Sequence, residues 1–160
     1  MTVINRMYQV GYGAGYSIDD EPKTVYIDCR LPKEFLLDGK WIKTDKYLYI
    51  HEVTEKHLMD EYGFKYQHAH EMATRAERKA VEADGVNWNT YQKTILKAVD
   101  ALGNITGRVP DDLDVKPEHD WHDTHELNEI RSRQVNPQTK EQWREEAGRM
   151  SEDRKEHHEL

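Results

Sequence analysis

A single cysteine, Cys29, stands in the 160 residues. One thiol forms no intrachain disulfide and supplies no cysteine-rich zinc site. Long apolar runs are also missing. No window approaches the roughly eighteen apolar residues that a membrane-spanning helix needs, so no membrane span is expected. The opening stretch MTVINRMYQVGYGAGYS lacks the continuous apolar core and cleavage pattern of a signal peptide. Positive charge is in deficit: 23 Lys and Arg stand against 31 Asp and Glu, a net charge of −8. That balance argues against non-specific binding to a nucleic-acid backbone. No interleaving of basic and aromatic residues suggests a base-stacking platform either. These absences lead to the expectation of a cytoplasmic protein with neither membrane nor nucleic acid as partner.

What is present is polar. Apolar residues make up 36% and charged residues 34% of the chain, so part of its length is expected to lie outside a core. The glycines at 11, 13 and 15 lack the strand, spacing and helix of a phosphate loop, and GYGAGYSIDDEP reads as a strand end and a flexible loop. KTVYIDCRLP alternates Val25, Ile27 and Cys29 with Tyr26 and Asp28, the pattern of a strand that Pro32 ends. EFLLDGKWIK reads as a hairpin turning at Asp38-Gly39.

From Thr44 or Asp45, either of which can cap a helix, the period lengthens. Tyr47, Ile50, His51, Thr54 and Leu58 share one side of the expected helix, with Leu48, Glu55, Met59 and Tyr62 beside them, and Gly63 ends it. A second helix is expected from about Tyr66 to Ala83, with a small-residue face of Ala69, Met72, Ala73, Ala76, Ala80 and Ala83, stopped near Gly85. WNTYQKTILKAVDALGN reads as a third. Trp41 and Trp88 are expected in the core.

The fold expected is α+β: a small sheet or hairpin packed on two or three helices over residues 1–104. An acidic polar extension, 105–160, is expected to be partly disordered, with a short helix near Pro137 to Gly148. Trp121 and Trp143 in that extension are candidates for anchoring a protein partner.

The chemistry concentrates on the first two helices. Side chains four apart on a helix present themselves together, so His51 and Glu55 can hold one metal ion from one turn. Glu52, one residue on, is placed to take a proton from a metal-bound water, the logic of HExxH in zinc peptidases. Here the stretch is HEVTE, a carboxylate standing where a second imidazole would, and zinc accepts either. An open site wants a third protein ligand. His70 and Glu77 are the candidates on the second helix, two turns or about 10 Å apart along its axis. His70 is preferred as ligand with Glu77 holding an imidazole from behind; Glu77 is the ligand if the register differs. The competing reading is a packed polar network in which His51 hydrogen-bonds Glu55 or Glu77 without any ion.

A strand VYIDCRLP, a hairpin, and a capped helix bearing His51, Glu52, Glu55 and Lys56, followed by His70, Ala73, Ala76 and Glu77, resemble the minimal core of the zincin metallopeptidases. The likeness is to small phage- or prophage-encoded proteins with an HExxEK helix, and spans about residues 23–85. It implies His51 and Glu55 as zinc ligands, Glu52 as general base, a peptide or protein substrate, a host-cell cytoplasmic setting, and TVYID as an edge strand aligning the substrate. Glu55 departs from the usual second histidine. The function expected is zinc-dependent hydrolysis of a peptide or related amide bond. The alternative is a non-enzymatic phage-type structural or interaction protein holding a structural ion or a buried polar network. His57, His68, Tyr66 and Tyr91 are candidate oxyanion stabilisers, His57 reading as solvent-facing. Two further features stand apart: His119, His122 and His125, three apart, as a conceivable metal cluster, and Asp28 with Arg30 as a structural ion pair.

Overall fold

The computed structural model describes residues 3–18 and 24–134. It is an α+β fold in which a three-stranded sheet and a separate hairpin pack against several helices. In the sheet, β1 (Val3–Asn5) pairs parallel with β3 (Thr24–Ile27), and β2 (Ala14–Tyr16) pairs antiparallel with β3 from the other side, giving the order β1-β3-β2. Val25 and Ile27 are completely buried, but Tyr26 and Asp28 of the other set are buried too, and Cys29, third in the expected apolar set, is exposed: the strand is covered on both faces.

Two expectations fail here. TVYID is the central strand rather than an edge, because residues 3–16 supply a strand on each side of it. GYGAGY is a 3-10 turn (Gly11–Gly13) running directly into β2. Its glycines serve close packing. Gly13 sits at φ +88° with its Cα face against Val99 and Leu31, and a Cβ on Gly15 would come within 2.9 Å of Leu113 Cδ1.

The hairpin is as expected: β4 (Glu34–Leu37) and β5 (Lys40–Lys43) pair antiparallel around Asp38 and Gly39, both at positive φ. Its register places Leu36 opposite Trp41 on one face, while Phe35, Leu37 and Ile42 on the other pack against the helices. Trp41 is therefore 68% exposed, not a core residue: the period of two that buries Ile42 turns its neighbour outward. Trp88 does pack against the core.

Three long helices follow. α1 (Asp45–Tyr62) ends at Gly63 in the left-handed conformation, with the Gly63 amide bonded to the Leu58 carbonyl. Thr44 stands at its N-terminus but makes no side-chain cap. α2 (Tyr66–Ala83) lies against α1 through Ala69 and Ala73, both completely buried, and continues the seam at Glu77 and Val81; Met72 and Ala83 face solvent. α3 (Trp88–Leu102) starts at Asn87, whose side chain accepts a hydrogen bond from the Thr90 amide.

Composition sets residues 105–134 apart as extension, yet they carry core. Ile105, Val109, Leu113, Val115, Leu127 and Ile130 form one buried cluster with Val10 and Tyr26. Two short helices, α4 (Lys116–Asp120) and α5 (Thr124–Arg133), frame it. A buried ion-pair centre fastens this segment to α1: Lys56 Nζ lies 2.8 Å from Asp60 and 2.7 Å from Asp114. The short helix expected near Pro137 to Gly148, and Trp143, lie outside the described residues. Among the described residues, no helix is long and apolar enough to cross a membrane.

Candidate metal centre

α1 and α2 converge where the small residues Ala69 and Ala73 let them approach closely. At that point the i, i+4 spacing on α1 aims His51 and Glu55 at α2, and His70 meets them one turn inside its start. His51 Nε2 is 3.2 Å from Glu55 Oε2 and 3.1 Å from His70 Nδ1, and His70 Nδ1 is 3.0 Å from Glu55 Oε2. These three atoms form a nearly equilateral triangle. The edge of a tetrahedron built on zinc bonds of about 2.0–2.1 Å is about 3.3 Å, so the triangle is close to one face of such a site. It is the group of His, Cys, Asp and Glu side chains among the described residues whose ligand atoms gather in this way. His119, His122 and His125 form no such group.

The other side of His51 is fixed. Its Nδ1 lies 2.8 Å from Glu77 Oε1, and the Tyr91 hydroxyl donates to Glu77 Oε2 at 2.6 Å. Glu77 is thereby satisfied as the acceptor behind His51, two turns from the position of His70. Nδ1–H donating to a carboxylate leaves Nε2 turned into the triangle, the arrangement that orients metal-bound imidazoles. Glu55 is held in the same manner, its second oxygen accepting from the buried Tyr16 hydroxyl at 2.9 Å. The Tyr66 hydroxyl adds a contact to His70 Nδ1 at 3.2 Å.

The electrostatics follow from this packing. Burial disfavours the charged imidazolium of His51, but hydrogen bonds to Glu55 and Glu77 and the Glu52 charge outweigh it, and the group is raised to about 10. Burial likewise works against ionised Glu55, and the two histidines more than offset it, leaving its carboxyl below the ordinary range. For Glu52, burial first and the neighbouring Glu55 charge second outweigh the pull of His51 and hold it well above the usual carboxylate range. Without an ion, a proton on His51 Nε2 links the triangle; a divalent cation would replace that proton.

A cavity of about 390 Å³ opens onto the cluster, with His51, Glu52, Glu55, Tyr66, His70 and Glu118 among its walls. His51 and Glu55 are buried at its base, while the His70 side chain remains 48% exposed at the rim. Among the described residues, neither lysine nor arginine lines it. No family model, no curated protein and no solved structure matches the chain. The geometry by itself gives a His/Glu/His cluster able to chelate a divalent ion, set in a buried polar network.

The remaining candidates separate cleanly. Glu52 is buried on the cavity wall next to His51 and Glu55. Tyr66 and Tyr91 both line the cavity, but Tyr91 spends its hydroxyl on Glu77. His57 and His68 are exposed, His57 against the Tyr62 ring and His68 stacked on Phe64 at 4.4 Å, and neither borders the cavity. Asp28 and Arg30 form the expected ion pair at 2.8 Å, Asp28 also accepting from the Val10 amide. Sequence reasoning missed Tyr16, Asp114 and Glu118, and named Lys56 only within the HExxEK likeness, without a role. Tyr16 reaches Glu55 across 39 residues and Lys56 reaches Asp114 across 58, separations at which no local pattern exists. Lys56 alone left a trace, since a period that buries Glu52 and Met59 buries position 56 as well.

Proposed function

We propose that the chain binds one divalent transition-metal ion through His51 Nε2, Glu55 Oε2 and His70 Nδ1, with Glu77 orienting His51 and Tyr16 orienting Glu55. The observation that carries this is the triangle of 3.0–3.2 Å edges, close to a tetrahedral face. Two imidazoles and a carboxylate suit zinc well. The reading best supported is a non-enzymatic module, structural or interaction in role, in which the ion and the network around it lock α1, α2 and α3 in register. Metal analysis of untagged protein tests it. About one zinc per chain is expected in the wild type, with loss in both Glu55→Ala and His70→Ala. Equal zinc in all three would reject the assignment.

A second reading, zinc-dependent hydrolysis of a peptide or related amide bond, is favoured by one specific observation: Glu52 is buried on the wall of a cavity that leads to the cluster. Bound zinc would supply a polarising Lewis acid and a water acidified toward neutrality. Glu52 would be ionised by the neighbouring cation, and so suited to accept a proton at that wall and return it to a departing amine. The zincin likeness of the HEVTEK helix points the same way. A Glu52→Gln variant separates the two readings: under the second it keeps its zinc and loses hydrolysis of unstructured peptide substrates. Wild-type protein loaded with zinc and inert toward such substrates would leave the first reading standing.

A further inference from the structure

Beside the cluster a second recess, of about 550 Å³, opens between the start of α2 and the α4–α5 corner, walled by Tyr12, Tyr66, Pro117, Glu118, Trp121 and His122. Tyr12, Tyr66, Pro117 and Glu118 also border the cavity in front of the cluster, so the two spaces adjoin. Three features of the recess belong together. Its walls are aromatic and wet: Tyr66 and Trp121 meet edge to face with ring centroids 5.8 Å apart, and Trp121 is 55% exposed despite its size. Tyr12 is held over it at φ +61° by a 2.6 Å hydrogen bond from its hydroxyl to Asp123. Among the described residues, no lysine or arginine lines it.

At its base, Glu118 Oε2 is buried without a hydrogen-bond partner. A buried carboxylate in that state is costly. Burial first, with the charges of Asp114, Glu126 and Glu55, outweighs a hydrogen bond from its own backbone amide and pushes the Glu118 carboxyl up to about 8. Arg131 of α5 is close enough to feel the Glu118 charge, yet that oxygen stays unbonded. An oxygen lacking its donor, under aromatic faces in a recess that none of the described lysines and arginines lines, suits a weakly hydrated organic cation: the rings attract its charge and the carboxylate pairs with it. A divalent metal is a poor match, because Glu118, His122 and Asp123 do not gather their ligand atoms into a group that could hold one.

We propose that this recess receives an organic ammonium group, the side chain of a lysine on a peptide or protein ligand, with Glu118 as its ion-pair partner and Tyr66 and Trp121 as its walls. The proposal is independent of the metal reading, since none of the three triangle atoms belongs to the recess. A ligand seated there would lie across the shared rim toward His70.

The test is calorimetric titration of the full chain with Nα-acetyl-lysine amide, in buffer above the Glu118 value. Nα-acetyl-norleucine amide serves as the neutral isostere and Nα-acetyl-glutamate amide as the anionic control. Each titration is run on chelator-treated protein and again with one equivalent of zinc. Saturable binding of the lysine probe alone, in both states, is expected. A charge-assisted contact corresponds to about a tenfold effect or more, so Glu118→Gln and Trp121→Ala should each weaken binding at least about tenfold. Unchanged thermal midpoints would show that the variants fold. Equal binding of the norleucine probe, undiminished binding in both variants, binding only after zinc is added, or no binding of the lysine probe would each overturn the proposal. The probe comparison uses wild-type protein, so the test holds whether or not either variant folds.

Discussion

Replacing Lys56 with methionine probes the centre that joins α1 to the C-terminal segment. Lys56 is 1% exposed, and its ammonium lies 2.8 Å from Asp60, 2.7 Å from Asp114 and 5.1 Å from the centre of the Tyr16 ring. Methionine keeps the stem's volume and removes the charge, leaving two buried carboxylates facing each other. The remaining cation, Lys116, is 3.8 Å from Asp60 and compensates only in part. Breaking a buried pair in this way costs about 3–5 kcal/mol, a large share of a typical total of about 5–15 kcal/mol. With a urea m-value of about 1–3 kcal/mol/M, the denaturation midpoint should fall by roughly 2 M. Adding Asp114→Asn should recover part of the loss, because the amide removes one orphaned charge and keeps an oxygen to accept from the Lys116 amide, as Asp114 Oδ1 does at 2.9 Å.

The pH dependence has a definite sign. Burial already raises the Asp60 carboxyl, with Lys56 pulling it back, and removing Lys56 raises it further. A carboxyl whose folded value is raised contributes stability below its unfolded value and loses it as pH rises through the folded value. The deficit of Lys56→Met should therefore be greatest at neutral pH and shrink toward acid. A midpoint equal to the wild type's at neutral pH would refute this account of the Lys56 centre.

Two further outcomes follow from the site. His51 is raised to about 10 in the ion-free protein, so loading a metal near neutral pH must displace its proton. Calorimetric zinc titrations in buffers of different ionisation enthalpy should report about one proton released per ion and an affinity that falls with falling pH; no buffer dependence would count against His51 as ligand. Glu77→Gln keeps shape but weakens the anchor behind His51, and should lower metal affinity about 10–100-fold without abolishing it, as competition with a chromogenic chelator would show.

The local patterns were legible and the distant ones were not. The spacing of His51 and Glu55, the cap at Gly63 and the alternation of Val25 and Ile27 are written within single elements, and the first two helices and the central strand follow from them. The bringing together of His70 with that pair was also within reach, because a short turn through Gly63 makes the helices antiparallel neighbours. β1 and β2 could not be read in the same way. Their three-residue lengths are too short for a period, and Gly13 and Gly15 are fixed by the closeness of Val99 and Leu113. Residues 105–130 look like a polar tail because their six core side chains change spacing along the segment and are interrupted by the polar stretch between Val115 and Leu127. Only the placement of Val10 and Tyr26 shows what they cover. Glu118 is invisible in the sequence as a site residue, one acid among many, until Tyr12, Tyr66 and Trp121 are seen around it.

X-ray absorption at the zinc edge, on chelator-stripped protein reloaded with one equivalent of zinc, tests the central claim most directly. The account predicts a wild-type first shell of nitrogen and oxygen at about 2.0–2.1 Å containing two imidazoles, and no zinc retained by His70→Ala after desalting. A wild-type shell without imidazole scattering, or zinc retained by that variant in an unchanged shell, would contradict it.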